Sequence, residues 1–282
     1  MPIVAAAVTV VLWASAFVAI RQAGHQISAG ALAFGRLAVG SIVLGALVAT
    51  RQRVWPSGRQ WLLVLACGVS WFGIYNIALN EAERHVGAGI AAMLVNVGPI
   101  IIALLAGLFL GEGFPRGLLG GGLLAFCGVV LIGIATAGGA IGDATGVVLC
   151  VVAAVGYAVG VVCQKPVLGH VPALSVTWLG CVVGMLVSAP FLSSFVHDVS
   201  HASAQSLLLM LYLGVFPTAL AFTTWAYALR HTTAGRMGAT TYIVPPLAIL
   251  MGWLLLAERP PWLALVGGAV ALIGVAVTRR VR

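Results

Sequence analysis

Apolar residues run along this chain in long unbroken blocks separated by short polar joints. Ten blocks stand out, at about 3–20, 28–49, 61–79, 88–110, 117–136, 146–163, 172–192, 207–229, 234–256 and 262–278. Most are about 18–23 residues long, enough for an α-helix to cross a bilayer with modest tilt. The pattern predicts an all-α membrane protein of ten transmembrane helices. Residues 3–20 follow no basic segment and precede no clear cleavage site, so they read as a retained first span. The longest joint, 193–206, reads as a solvated connection.

Composition agrees. Of 282 residues, 62% are hydrophobic and 7% charged, against about 25% charged in soluble domains. The net charge of +8 would suit nucleic acid in a soluble protein. Here the basic residues occupy the joints, where topology explains them. Arg51, Arg53, Arg59, Arg116, Lys165, Arg230, Arg236, Arg279, Arg280 and Arg282 fall on one side of a ten-span layout, and Arg21, Arg84 and Arg259 on the other. That bias places both termini in the cytoplasm and suits a bacterial inner membrane.

The chain repeats itself. At an offset of 146 residues Arg84-His85 falls on Arg230-His231, Pro99 on Pro245, Glu112 on Glu258 and Pro115 on Pro261. The copies, 1–137 and 144–282, hold five spans each. Five is odd, so the second copy enters the membrane inverted relative to the first. Inverted-topology repeats recur in secondary transporters, where exchanging the packing of two halves gives alternating access.

These features resemble the drug/metabolite transporter superfamily, specifically its EamA-type exporters. The matching pieces are Trp13-Ala14-Ser15 with Phe17, Phe34-Gly35-Arg36 with Ala38, and Gly89 through Pro99 leading to Leu110-Gly111-Glu112. Pro245-Pro246 leading to Leu256-Ala257-Glu258 repeats the last of these, and the fifth and tenth spans are glycine-rich. The resemblance covers nearly the whole chain. It implies export of small metabolites, amino acids or drugs through a central cavity, with spans five and ten at the periphery. Two departures are Ala14, where the family often has glycine, and Tyr157, where the first copy has Trp13.

Candidate chemistry is sparse. Pro99 and Pro245 sit near the middle of spans four and nine, where each removes a helix hydrogen bond. Paired breaks point to a transporter site, although a packing kink gives the same pattern. Arg36 lies about eight residues into span two, and an intramembrane charge is functional by default. Its partner would be a substrate carboxylate, backbone carbonyls or water; the alternative is a structural arginine that snorkels. Glu112 and Glu258 close spans four and nine. They suit capping of the turn into the following helix, with gating or proton coupling as the alternative.

Ser15, Asn76, Asn96, Thr223 and Thr241 are candidate cavity polar groups, although interhelical hydrogen bonding also explains them. Trp13, Trp71, Tyr75, Tyr157, Trp225 and Tyr242 would give the cavity aromatic walls. His197 and His201 have metal-pair spacing but lack a convincing third ligand, and the five cysteines form no ligand motif, so neither metal nor cofactor is expected. No HExxH, GxSxG or P-loop occurs, which argues against proteolysis or ATP hydrolysis. The expected partners are a small-molecule substrate and the lipid bilayer. Uniport and proton exchange both stay open, as does a homodimer. The competing function is a non-transporting membrane scaffold or an intramembrane enzyme.

Overall fold

The computed structural model describes residues 1–51, 54–86, 91, 94–136, 144–256 and 261–280, and all regular structure among them is helical. The helices are α1 (Pro2–Ala23), α2 (Ala29–Ala49), α3 (Arg59–His85), α4 (Gly98–Phe109), α5 (Arg116–Thr136) and α6 (Ala144–Val167). They continue as α7 (Ala173–Val187), α8 (Leu192–His201), α9 (Ala204–Arg230), α10 (Ala234–Leu255) and α11 (Trp262–Arg280). Seven of these are long and apolar enough to cross a membrane by themselves. A helix pair over Ala173–Val187 and Ala189–His201, bent by 54°, and two shorter apolar helices, Gly98–Phe109 and Trp262–Thr278, supply the remaining hydrophobic length.

Two sequence expectations need correction. The joint at 193–206 is largely helix α8. Its Asp198 Oδ2 accepts hydrogen bonds from the Ser28 backbone N–H at 2.8 Å and hydroxyl at 2.7 Å. A carboxylate there caps the positive N-terminal end of α2. Pro99 does not kink the middle of a helix. Asn96 and Val97 form a turn, and Pro99 is the second residue of α4. In a helix's first turn the missing N–H costs nothing, because no intrahelical acceptor awaits it. Pro245, by contrast, does lie near the middle of α10, directly after a 3₁₀ turn over Thr240–Ile243 that interrupts the α pattern.

Two π-helical stretches widen α3 over Gly68–Ile74 and α9 over Gly214–Leu220, the second lying 146 residues after the first. π turns leave carbonyls misaligned with the α pattern, so side chains must satisfy them. In α3 the Asn76 Nδ2 donates to the carbonyls of Phe72 at 2.8 Å and Trp71 at 3.3 Å. In α9 Pro217 supplies no N–H, and its own carbonyl accepts from Trp13 Nε1 at 3.3 Å.

Packing is reciprocal. α1 rests on α9 and α10, while α6 rests on α3 and α4; α2 rests on α7 and on the π stretch of α9, while α7 also rests on that of α3. α5 and α11 make the most extensive pair of all. Gly121 faces Gly274 and Thr278, and Gly128 faces Gly267 and Ala271, so these two helices run antiparallel. A Cβ added to Gly121 would lie 2.6 Å from the Thr278 backbone nitrogen. Small residues here let helix backbones approach closely, which is how apolar helices adhere where lipid removes the hydrophobic drive. α2 and α7 also run antiparallel, with Gly40 facing Cys181 and Gly45 facing Trp178.

Candidate functional site

A cleft of roughly 650 Å³, counting its mouth, lies between α1, α2, α3, α6, α9 and α10, with Val95 and Asn96 ahead of α4 at its side. Eight sequence candidates line it: Trp13, Arg36, Trp71, Tyr75, Asn76, Asn96, Tyr157 and Thr241.

Its walls are aromatic. Trp71 sits against Phe222 at 4.9 Å between ring centroids, Tyr157 at 5.2 Å and Trp13 at 6.1 Å. Most of these contacts are edge-on or tilted, the arrangements that ring quadrupoles favour. Trp13 and Trp225 are 5.0 Å apart, and the cluster closes one end of the cleft. Beyond it, Thr9 and Thr224 share a hydroxyl hydrogen bond of 2.8 Å that ties α1 to α9.

Arg36 brings the charge. It is 5% exposed, and its Nε donates to Thr218 Oγ1 at 3.0 Å. Among the described residues this is the guanidinium's hydrogen bond to protein. The sequence search for a carboxylate partner missed a hydroxyl in a π turn. No charged residue occupies α7, so the second copy offers no equivalent cation.

The other candidates sit elsewhere. Ser15 points to α9, sharing a 2.6 Å hydrogen bond with the Tyr212 hydroxyl. Thr223 bonds back to the Ala219 carbonyl at 2.7 Å. Trp225 backs Trp13 from the fully buried layer, and Tyr242 packs with α5 and α11 instead of facing the cleft. Pro99 and Pro245 are buried beside the site without lining it.

Glu112 does accept backbone N–H groups, but not from the helix that follows it. Its Oε1 takes Ala234 N–H at 2.7 Å and its Oε2 takes Gly235 N–H at 3.1 Å. The carboxylate therefore caps α10, across the two halves. Gly111 and Gly113, both at φ +67°, supply the left-handed turns that reverse the chain around it. Glu258 lies outside the described residues.

Phe17 and Phe222 also line the cleft, and neither was among the sequence candidates. Phe222 falls 146 residues after Asn76, and Thr218 after Phe72, so unlike residues at equivalent positions concealed both from the repeat comparison. His197 and His201 are exposed on α8, their rings 4.7 Å apart.

Comparison with known proteins identifies the context of this cleft. The profile of the EamA-like transporter family matches residues 1–134 and again 144–280. A protein of Streptantibioticus cattleyicolor, named a probable terminal-alkyne amino-acid exporter, is 34% identical over 96% of this chain and 91% of its own. The uncharacterized transporter YdfC of Bacillus subtilis is 32% identical over 95% of this chain and 87% of its own. A solved crystal structure shares the fold, with a TM-score of 0.77 over 98% of this chain and 95% of that one at 18% identity. The chain is an integral membrane protein and belongs to the EamA-like transporter family.

Proposed function

We propose that this chain is a secondary transporter that exports amino acids by alternating access. The observation that carries this is Arg36: a buried guanidinium that lines an aromatic-walled cleft and, among the described residues, hydrogen-bonds the protein through its Nε. A fixed guanidinium pairs with a carboxylate through parallel hydrogen bonds, and the aromatic wall accepts an apolar side chain. The relative named a probable terminal-alkyne amino-acid exporter agrees with that chemistry.

Ten spans in two inverted copies, 1–137 and 144–282, account for the architecture. The family profile matches twice, at intervals close to these bounds. The π stretches, the Pro99 and Pro245 turns and the Gly121/Gly128 and Gly267/Gly274 pairs all recur 146 residues apart. The antiparallel α5–α11 pair supports inversion.

With both termini in the cytoplasm of a bacterial inner membrane, the cleft opens outward. The aromatic cluster, the Thr9–Thr224 bond and the Glu112 cap on α10 close the cytoplasmic side. In the alternate state those contacts part and the extracellular ends of the same helices meet.

Purified protein in liposomes, loaded with unlabelled amino acids and given labelled ones outside, tests this directly. Saturable counterflow is the expected result, and comparing flux with and without a pH gradient separates uniport from proton exchange. Folded protein that moves no amino acid above empty liposomes would overturn the reading.

A further inference from the structure

The copies match at two offsets. Between α3 and α9 the offset is 146 residues, as the π stretches show. Between the first two helices of each copy it is 144: α1 and α6 end at Ala23 and Val167, and α2 and α7 follow Ser28 and Pro172. A pocket of roughly 750 Å³, counting its mouth, opens between the ends of α1, α2 and α3, and Ile20 lines both this pocket and the cleft. Arg21 of α1 and Asn80 and Glu83 of α3 line it too. The counterparts of these four are Gln164 and Lys165 of α6 and Ala226 and Leu229 of α9.

The two places differ in state. Arg21 and Gly24 are exposed and Glu83 is half-buried, whereas Lys165 is half-buried and Leu168 and Leu229 are fully buried. Lys165 bridges the closed place. Its Nζ donates to the carbonyls of Leu229 at 2.7 Å and Thr232 at 2.5 Å. An ammonium there satisfies the last carbonyls of α9 and complements that helix's negative end. It also holds the α9–α10 connection at one end, while Glu112 holds the other.

Gln164 is what this closure leaves unsatisfied. It is 0% exposed, yet among the described residues neither its Oε1 nor its Nε2 has a hydrogen-bond partner. Trp225 Nε1 is buried without a partner as well, and Trp225 is the counterpart of Leu79, which lines the open cleft. An amide buried with donor and acceptor both unmatched is costly. A conformation that opens this place removes the cost.

We propose that Gln164 and Lys165 line a cytoplasmic counterpart of the outer pocket, closed in this conformation, and that Lys165 is the residue on which a solute carboxylate docks there. The inference rests on the transport reading and orientation above and deepens them, supplying the step at which solute enters from the cytoplasm. An ammonium bonds a carboxylate more strongly than a neutral carbonyl. A carboxylate arriving at Lys165 displaces the Leu229 and Thr232 carbonyls, which frees the α9–α10 connection and lets Gln164 meet water or solute. Glu112 is near enough to act on the Lys165 charge, but its oxygens are held by Ala234 and Gly235. Because the carboxylate binds only the opened form, it shifts the population toward that form.

The test places a cysteine in the pocket wall, Ala226→Cys, in a background lacking the five native cysteines. A membrane-impermeant maleimide is applied to inverted vesicles. The probes are a mixture of the protein amino acids without side-chain carboxylates, and the same mixture as C-terminal amides. The amino acids should speed labelling by about fivefold or more, the lower end of ordinary ligand couplings, and the amides should not. Lys165→Gln should label faster at rest and lose the response, whereas Lys165→Arg should keep it. Gln164→Leu, which removes the unmatched amide, should label more slowly at rest. It is the deciding variant if Lys165→Gln does not fold, and resting labelling at or above the parent's then overturns the proposal. A full response in folded Lys165→Gln, or an equal response to the amides, makes the lysine a helix cap alone and overturns docking while transport stands. Absence of any response in a parent protein that performs amino-acid counterflow does the same. Absence of both response and counterflow overturns the transport reading, and the docking site with it.

Discussion

Arg36 on α2 and Thr218 in the π stretch of α9 are joined by an Nε–H···Oγ1 hydrogen bond of 3.0 Å. The bond crosses from the first half of the chain to the second and fixes the direction of the guanidinium fork. Thr218→Val should leave the charge in place but free its orientation. The expected result is a several-fold rise in KM for amino acids. Arg36→Lys, which keeps the charge but loses the planar fork, should cost about tenfold or more. Methyl esters of the same amino acids, lacking the carboxylate, should bind both variants as they bind wild type.

The α5–α11 seam gives a stability prediction with its own control. A Cβ on Gly128 would run into the Ala271 backbone, whereas one on Gly120 or Gly122 would meet nothing within 4 Å. Gly128→Ala should therefore lower the melting temperature in detergent, by an overpacking cost of about 1–3 kcal/mol. Gly120→Ala and Gly122→Ala should leave it unchanged or raise it, since alanine favours a helix by about 0.5–1 kcal/mol. Equal effects at the three positions would contradict the close approach.

Asn76 satisfies carbonyls released by the π turn of α3. Asn76→Leu keeps much of the volume and removes the donor. Amide hydrogen exchange in α3 around Trp71–Asn76 should quicken, with a loss of about 1–3 kcal/mol for the orphaned acceptors. Exchange in α9, whose π turn relies on Pro217 and Trp13, should stay as it was.

Glu112 holds the first turn of α10 from across the molecule. Glu112→Ala should cost about 1–2 kcal/mol, as other N-terminal caps do. If the cap also closes the cytoplasmic side, a cysteine placed at Thr224, in a background lacking the five native cysteines, should label faster from that side. Unchanged labelling would leave Glu112 as a cap alone.

Much of this was legible in the sequence, for definite physical reasons. Hydrophobic length reported the spanning helices because lipid demands it. The 146-residue offset anticipated where the π stretches and proline turns recur. Residue type alone brought eight of the candidates to one cleft, since large aromatics and buried polar groups are costly against lipid. Other features stayed hidden. Pro99 reads as a kink from spacing, and only the turn at Asn96–Val97 shows that it opens a helix. Glu112 reads as a local cap because its true partners, Ala234 and Gly235, are 122 and 123 residues away.

The α5–α11 seam is self-complementary. Gly128 meets Gly267 and Ala271, which stand 146 residues after Gly121 and Ala125. A single unit bearing Gly121, Ala125 and Gly128 could therefore pair with an inverted copy of itself through one patch, as in an isologous dimer. Fusing the two units in one chain makes that association intramolecular, set by the connecting segment and independent of protein concentration. It also releases each patch to vary alone. A substitution in an unfused unit would strike the seam twice, whereas in one chain it strikes once.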